Sequence, residues 1–259
     1  MNRMPGVPIG TSRTGTIRLL FEDDRYLAVS KPPGLLVHRT PLDAHEPENL
    51  RDILRAHTAS RLDPVHRLDK PTSGVILFGK DPQAIDHCKR QFEDRQTEKR
   101  YLAVVRGRVD NPGCIGKPLP KGMTGTPKVA RTSYAPVGHC ELPYPVSRYP
   151  TARFSLVDCS PHTGRYHQIR LHFRHFRHPI IGDSQHGDKP QNRAFAAHTG
   201  TPGLLLHARR FAFDHPDGGR LTLTAEVPPA WRRMEQSTMW TFSEWGEDAF
   251  ERVTNAASS

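Results

Sequence analysis

The sequence predicts an α+β fold built on a mixed, mainly antiparallel sheet. Apolar stretches of strand length outnumber those with a helical period, and short turn sequences separate neighbouring strands. The chain shows no repeated strand–helix alternation, no dinucleotide-binding glycine fingerprint and no phosphate-binding loop motif. Its 259 residues, 36% of them hydrophobic, suffice for one large domain or two subdomains that share a core.

In the first half of the chain, apolar runs and turn residues predict the elements in order. A disordered polar tail is expected over residues 1–15. It is followed by a hairpin with an acidic turn over 16–32, a turn into a short strand over 31–38 and a polar loop over 38–48. A short helix is marked by Leu50, Ile53 and Leu54. A buried strand over 75–81 then leads into a helix capped by Asp81, with Pro82 in its first turn.

The second half predicts more strands than helices. Strands are expected over 99–107 and 152–160, and a late hairpin over 204–216 and 220–228 turns at Asp217-Gly218-Gly219. A Pro/Gly/Lys-rich loop is expected over 111–129, a helix over 163–176, a helical or irregular end over 231–250 and a tail over 251–259. Residues 16–250 are expected to form a single domain.

Positive charge dominates the composition. Lys and Arg exceed Asp and Glu to give a net charge of +10. This excess favours a polyanionic partner, and nucleic acid is the leading candidate. An anionic membrane is the alternative, but no basic amphipathic helix or transmembrane stretch supports it.

The cysteines and the N-terminal sequence predict a cytoplasmic protein with reduced thiols. Cys88, Cys114, Cys140 and Cys159 form no CxxC pair, so their spacing matches no common zinc site. The first residues lack the apolar core of a secretory signal peptide.

The segment VHRLDKPTSG, residues 65–74, holds the first candidate site. Asp69 follows a predicted strand end and precedes a turn, with Arg67 and Lys70 on either side. Neighbouring cations favour the ionised carboxylate, which suits a nucleophile or a general base. The competing interpretation is a turn aspartate that bonds its own backbone, and the segment alone favours that simpler interpretation.

The predicted helix over 163–176 holds the second candidate site. One stripe is apolar (Ile169, Phe173 and Phe176) and another is basic (Arg170, Arg174 and Arg177). Like charges at this spacing repel each other, so the basic stripe either faces an anion or is a solvated face. Arg165 is expected at the helix start, where a cation opposes the helix dipole. Its position therefore indicates a specific partner, and Asp69 would suit.

Histidines and one tyrosine complete the candidates. His167, His172, His175 and His178 crowd the same helix but form no HExxH arrangement, so we expect solvated or RNA-facing histidines and no metal. Tyr101 lies in the predicted strand 99–107. It either packs in the core with a bonded hydroxyl or stacks on a base, and periodicity does not distinguish the two.

Taken together, these segments resemble the RluA-type pseudouridine synthases. The similar segments are Lys31-Pro32-Pro33-Gly34 with Val37-His38, His66-Arg67-Leu68-Asp69 with Pro71 to Gly74, Lys99-Arg100-Tyr101 with Arg106-Gly107, Thr163-Gly164-Arg165 with His167 to His172, and Leu205-Leu206-His207-Ala208. All five occur in the family's order and span roughly residues 15 to 210.

The resemblance implies an enzyme that converts uridine in RNA to pseudouridine without a cofactor. It implies two subdomains with a central RNA-binding cleft, into which the target base is flipped. Asp69 corresponds to the family's essential carboxylate, Arg165 to its partner and Tyr101 to the residue stacked on the base. His66 and Arg67 are expected to contact the RNA, and Leu206, or else Leu205, to form the apolar pocket wall.

Residues 37–46, 147–150 and 178–193 are similar to a subfamily that acts on tRNA, although Ser147 stands where glycine is expected. This similarity implies a T-stem uridine, U65, as the target, a monomer, and no accessory S4-like RNA-binding domain. An rRNA pseudouridine synthase is the alternative within the family. A non-catalytic RNA-binding or RNA-folding protein is the alternative from another class, and the presence of Asp69 argues against it.

Overall fold

The structure is a computed structural model that describes residues 6–39, 43, 45–58, 61–120, 122 and 125–242. The chain divides into two compact units. The first unit contains residues 1–99 and 208–225, and the second contains residues 100–207 and 226–259. No helix in the described ranges is long and apolar enough to cross a membrane.

In its described residues, the first unit is a sheet with two helices. Its strands are β1 (Pro8–Ser12), β2 (Gly15–Glu22), β3 (Tyr26–Lys31), β4 (Asp63–Pro64), β5 (Ser73–Gly79), most of β12 (Leu206–Asp214) and β13 (Arg220–Thr224). The main order is β1-β2-β3-β5-β12, and β13 pairs with β12. Consecutive pairs among β1, β2 and β3, and the pairs β3–β5 and β12–β13, are antiparallel. The helices are α1 (Leu50–Thr58) and α2 (Pro82–Glu93).

The core of the first unit joins the sheet to α2. Tyr26 is fully buried, and its hydroxyl donates to the Ala84 carbonyl at 2.8 Å. The helix begins as the sequence predicts, because the Asp81 carboxylate accepts from the Ala84 N–H at 2.9 Å and Pro82 occupies the first turn. The apolar face of α2 packs with Val75 and Leu77 of β5.

The second unit is a sheet covered on both faces. Its strands are β6 (Glu98–Arg106), β7 (Gly113–Ile115), β10 (Thr132–Leu142), β11 (Ala152–Pro161) and β14 (Thr241–Phe242), with the small pair β8 (Leu119–Pro120) and β9 (Pro127–Lys128) apart. The antiparallel order is β6-β11-β10-β14, and β7 pairs with β10. The helices are α3 (Gln168–His175), α4 (Lys189–Thr199) and α5 (Pro229–Ser237).

Alternation along β6 shows why both faces are buried. Leu102 and Val104 belong to a cluster with residues of α4 and α5, whereas Ala103 and Val105 belong to a cluster with residues of α3. Side chains of successive strand residues point to opposite faces, so an all-apolar strand supplies two cores.

The predicted α+β class and most predicted elements are confirmed. These are the hairpin over 16–32, the helices at Leu50 and Pro82, the strands beginning near 75, 99 and 152, and the late hairpin. The strand expected in 31–38 is wrong, since Leu36 there forms only an isolated bridge with Asn49. Three expected boundaries also differ. Residues 8–12 form a strand paired with β2, so this part of the expected tail is ordered. The expected loop 111–129 contains three short strands, and the helix expected from residue 163 begins at Gln168.

Among the longer elements, strand β10 and helix α4 were not predicted, for physical reasons. Strand β10 contains Pro136 and Gly138, which oppose strand formation, and a register irregularity between these two residues accommodates them. Helix α4 is mostly polar, but it carries a start signal: the Asp188 carboxylate accepts from the Gln191 N–H at 3.2 Å, and a proline follows in the first turn.

Candidate active site

The Asp69 segment lies in the first unit between β4 and β5. Asp69 is half-buried and its carbonyl accepts from the Thr72 N–H at 3.0 Å, which closes the predicted turn. Gly74 has a φ of +113°, and a Cβ there would lie 2.2 Å from the Ala208 carbonyl oxygen. Only glycine fits this close backbone approach, so the turn that follows Asp69 is fixed against β12.

His66 supports this segment from inside the unit. Its Nε2 accepts from the Leu77 N–H at 3.1 Å, and its ring centroid lies 4.9 Å from that of Phe211. Burial, reinforced by the charge of Lys99, lowers the pKa of His66 to about 3, so the ring is neutral near pH 7. The ring anchors the segment and the neighbouring Arg67 is exposed, and the RNA contacts expected of both residues stay predictions.

Lys31 is a residue of this site that the sequence analysis missed. Its side chain is 1% exposed, and its Nζ donates to the carbonyls of Pro32, Leu35 and Lys70 at 2.9, 2.8 and 3.0 Å. The Lys70 carbonyl also accepts from the Gly34 N–H at 2.9 Å. One buried amine thus joins the residue after Asp69 to the Lys-Pro-Pro-Gly segment. A lysine that ends an apolar strand directly before two prolines was the available signal.

Burial lowers the pKa of Lys31 to about 7, and the charge of Asp69 acts in the opposite direction. An unfolded lysine titrates near 10.4, so between about pH 7 and pH 10 the unfolded state binds the extra proton. We expect the free energy of unfolding of wild type to rise with pH across this window relative to Lys31→Met. One proton sets the limit, about 1.4 kcal/mol per pH unit. Urea denaturation at several pH values measures the difference, and a constant difference would contradict the shifted pKa.

Lys70 forms an ion pair with Glu46 rather than with Asp69. Its Nζ forms a close ion pair with the Glu46 carboxylate, and Arg39 donates from its Nε to the Glu46 carbonyl at 3.0 Å. Through Glu46, the loop expected over 38–48 is therefore bound to Lys70, the residue next to Asp69. Residues 40–42 and 44 of that loop lie outside the described residues.

Tyr101 and Leu206 lie in the second unit, in the same apolar cluster. Tyr101 is half-buried on β6 opposite Cys159, and it packs against the cluster that contains Ile169 and Leu206. Leu205 belongs instead to the cluster on the other face of the sheet. This separation favours Leu206 over Leu205 as the pocket residue that accompanies Tyr101.

Arg165 lies in a turn before α3, not at the helix start. Its backbone N–H donates to the Gln168 side-chain oxygen at 3.0 Å, and its Nε donates to the Val129 carbonyl at 3.2 Å. The argument from an unfavourable helix dipole is therefore wrong, because the helix begins at Gln168, three positions after Arg165. The predicted pairing of Arg165 with Asp69 joins residues of different units and stays a prediction.

The predicted basic stripe divides into one buried and two exposed arginines. Arg170 is 3% exposed and forms a bidentate pair with Asp183, with Nε and NH2 each 2.8 Å from a carboxylate oxygen. Its predicted phosphate contact is therefore corrected to a structural ion pair. Arg174 and Arg177 are exposed on and just beyond the helix and remain candidates for phosphates.

Two of the four helix histidines are buried rather than solvated. His172 is fully buried, with its ring nitrogens 2.9 Å from the Thr132 hydroxyl and 3.0 Å from the Lys117 carbonyl. His167 lies with its Nδ1 2.9 Å from His186 Nε2. His172 thus joins α3 to the lysine-rich segment. Among the residues searched within the described ranges, no group of three or more potential metal ligands occurs.

Comparison with known proteins identifies related chains. The sequence profile described as "RNA pseudouridylate synthase" matches residues 25–175. The "tRNA pseudouridine synthase C" of Pasteurella multocida is 43% identical over 83% of this chain and 93% of its own. The protein of the same name from Haemophilus influenzae is 40% identical over 86% of this chain and 98% of its own.

A solved structure shares the fold. Human RNA pseudouridylate synthase domain containing 1 superposes with a TM-score of 0.71 at 20% identity, and the match covers 98% of each chain. At this identity the match supports the architecture alone.

Proposed function

This chain belongs to the RNA pseudouridylate synthase family, and we propose that it modifies a transfer RNA at U65 of the T stem. The observation that carries the tRNA substrate is the 43% identity, over most of both chains, to a relative named for that activity. The choice of U65 rests on the resemblance of residues 37–46, 147–150 and 178–193 to the tRNA-modifying subfamily. The reaction breaks the C1′–N1 bond of uridine and rejoins C1′ to C5 of the same base.

Asp69 is the proposed catalytic carboxylate. An ionised oxygen is needed whether it adds to the sugar or the base, or removes a ribose proton. The surroundings support this role because the Lys31 amine and the close approach at Gly74 hold the backbone on both sides of Asp69. A fixed carboxylate loses little freedom when the substrate arrives.

Tyr101, Arg165 and Leu206 are the proposed contacts of the flipped nucleotide in the second unit. The half-buried ring of Tyr101 offers a face on which uracil can stack, and Leu206 lies in the same apolar cluster. Arg165 is proposed to pair with Asp69, and Arg67 to occupy the space that the flipped base leaves. The isomerisation conserves atoms and redox state, so these side chains need no cofactor.

Exposed basic residues are proposed to hold the phosphate backbone. Of the three arginines in the basic stripe, only Arg174 and Arg177 are proposed to contact phosphates. Arg170 is excluded because it is buried in an ion pair with Asp183. These contacts position the RNA without reading its sequence.

Site mapping with the purified protein tests the proposal. We expect an unmodified tRNA transcript to gain one pseudouridine at U65, detected by chemical adduct formation and primer extension. The same transcript with cytidine at position 65 is the matched control and should gain none. Modification of rRNA fragments with an unchanged tRNA would favour the rRNA alternative, and RNA binding without any pseudouridine would favour a non-catalytic protein.

A further inference from the structure

The turn that joins β10 to β11 in the second unit presents an exposed aromatic ring beside arginine. Tyr149 is 44% exposed and is one of five large hydrophobic side chains that are exposed within the described residues. The Arg148 guanidinium lies 5.2 Å from the centre of the Tyr149 ring, and its NH2 donates to the Tyr149 hydroxyl at 3.1 Å. The two side chains therefore place a cation and an aromatic ring in contact at the surface.

The backbone holds this pair in place. The Val146 N–H donates to the Tyr149 carbonyl at 3.0 Å, and the Tyr149 N–H donates to the Val146 carbonyl at 3.1 Å. Ser147, between them, has a φ of +54°, a conformation that residues other than glycine rarely adopt. Val146 is buried in the cluster that includes Phe154, so the turn is anchored to the core while its tip stays exposed.

The charge around the ring is positive. The hydrogen bond and charge of Arg148, together with the charges of Arg106 and Arg153, lower the pKa of the Tyr149 phenol. Arg106 forms an ion pair with Asp188, and the carboxylate of Glu141 on β10 accepts from the Thr151 hydroxyl. Arg148 and Arg153 are both exposed. A ring flanked by guanidinium groups suits a nucleobase with adjoining phosphates, because the base stacks and the phosphates pair with arginine.

We propose that the Arg148–Tyr149 turn is a second RNA-contact surface, at which Tyr149 stacks on an unpaired base and Arg148 binds a neighbouring phosphate. The surface contains none of the residues assigned to catalysis. The proposal rests on the proposed function for its partner, an RNA substrate, and it adds the place where the RNA is held outside the reacting nucleotide. Loss of this contact should weaken RNA binding without changing the chemical step.

Variants of the turn separate stacking from charge. We expect Tyr149→Ala to weaken binding of the tRNA transcript about tenfold or more, whereas Tyr149→Phe, which keeps the ring, stays within about twofold of wild type. Arg148→Gln should weaken binding and lower the slope of log affinity against log salt by about one unit. Arg108→Gln is the matched control, because Arg108 is an exposed arginine of the same unit whose charge is paired with Asp110 at 2.6 Å.

Filter binding across a salt series and steady-state kinetics give the readouts. Support consists of a raised KM for Tyr149→Ala with kcat within about twofold of wild type. Wild-type affinity for Tyr149→Ala would overturn the proposal, and so would a Tyr149→Phe defect as large as that of alanine. These outcomes are interpreted only when the wild-type enzyme modifies the transcript in the same assay. If the wild-type protein neither bound nor modified tRNA, the proposed function itself would fail. The two failures are therefore distinguishable.

Discussion

Asp69→Asn is expected to abolish pseudouridine formation and to leave RNA binding intact. The amide has nearly the same shape as the carboxylate but no anionic oxygen, so it can neither add to an electrophilic carbon nor accept a proton. Loss of a group with either role costs about 10³-fold or more in rate. Single-turnover modification of the tRNA transcript measures the rate, and filter binding measures the affinity.

The controls distinguish chemistry from folding. The carbonyl of residue 69 closes the turn with the Thr72 N–H, and asparagine preserves this backbone contact. Asp24→Asn is a matched control, because Asp24 is an exposed aspartate near the β2–β3 turn of the same unit. We expect it to modify tRNA at the wild-type rate. Activity of Asp69→Asn near that of wild type would remove Asp69 from the mechanism.

Local signals were sufficient where one short segment decides the structure. Asp81 and Pro82 specify a helix start through a single hydrogen bond and a fixed φ, and the structure shows both. Strand β10 is the opposite case. Its Pro136 and Gly138 argue against a strand, but pairing with β11 from Thr132 to Leu142 stabilises it. Pairing between distant segments is invisible to propensity, so this strand could not be predicted from local sequence.

In the candidate site, too, local patterns were predictable and contacts between distant segments were not. The order of the motifs drew attention to Asp69, but no local pattern indicates that Lys31 contacts the residue beside it. Segments 39 residues apart meet there through three carbonyl contacts to one amine, two local and one distant. Arg170 shows the converse error. Helical spacing correctly placed Arg170 and Arg174 on one helix. It does not reveal that Arg170 is buried against Asp183 whereas Arg174 is exposed to solvent.

The buried pair of Arg170 and Asp183 leads to the second large expected effect. Asp183 is 1% exposed, and its Oδ1 also accepts from the Gln185 and His186 N–H groups at 3.0 and 2.9 Å. Burial raises the pKa of Asp183, but its hydrogen bonds with Arg170 and the backbone outweigh burial and hold the pKa below the usual value. The carboxylate is therefore ionised in the folded state, and its stability depends on the guanidinium.

Arg170→Met should lower the free energy of unfolding by about 3–5 kcal/mol, because it leaves the Asp183 charge buried without its cation. Adding Asp183→Asn should recover part of this loss, since the neutral amide keeps an oxygen for the two backbone N–H groups. Arg174→Met, an exposed change on the same helix, is the matched control and should stay within about 0.5 kcal/mol of wild type. Urea denaturation of wild type, the three single variants and the double variant gives the coupling energy. Additive effects of the Arg170 and Asp183 changes would show that the pair is not a unit. A loss for Arg174→Met equal to that for Arg170→Met would show that burial does not distinguish the two arginines.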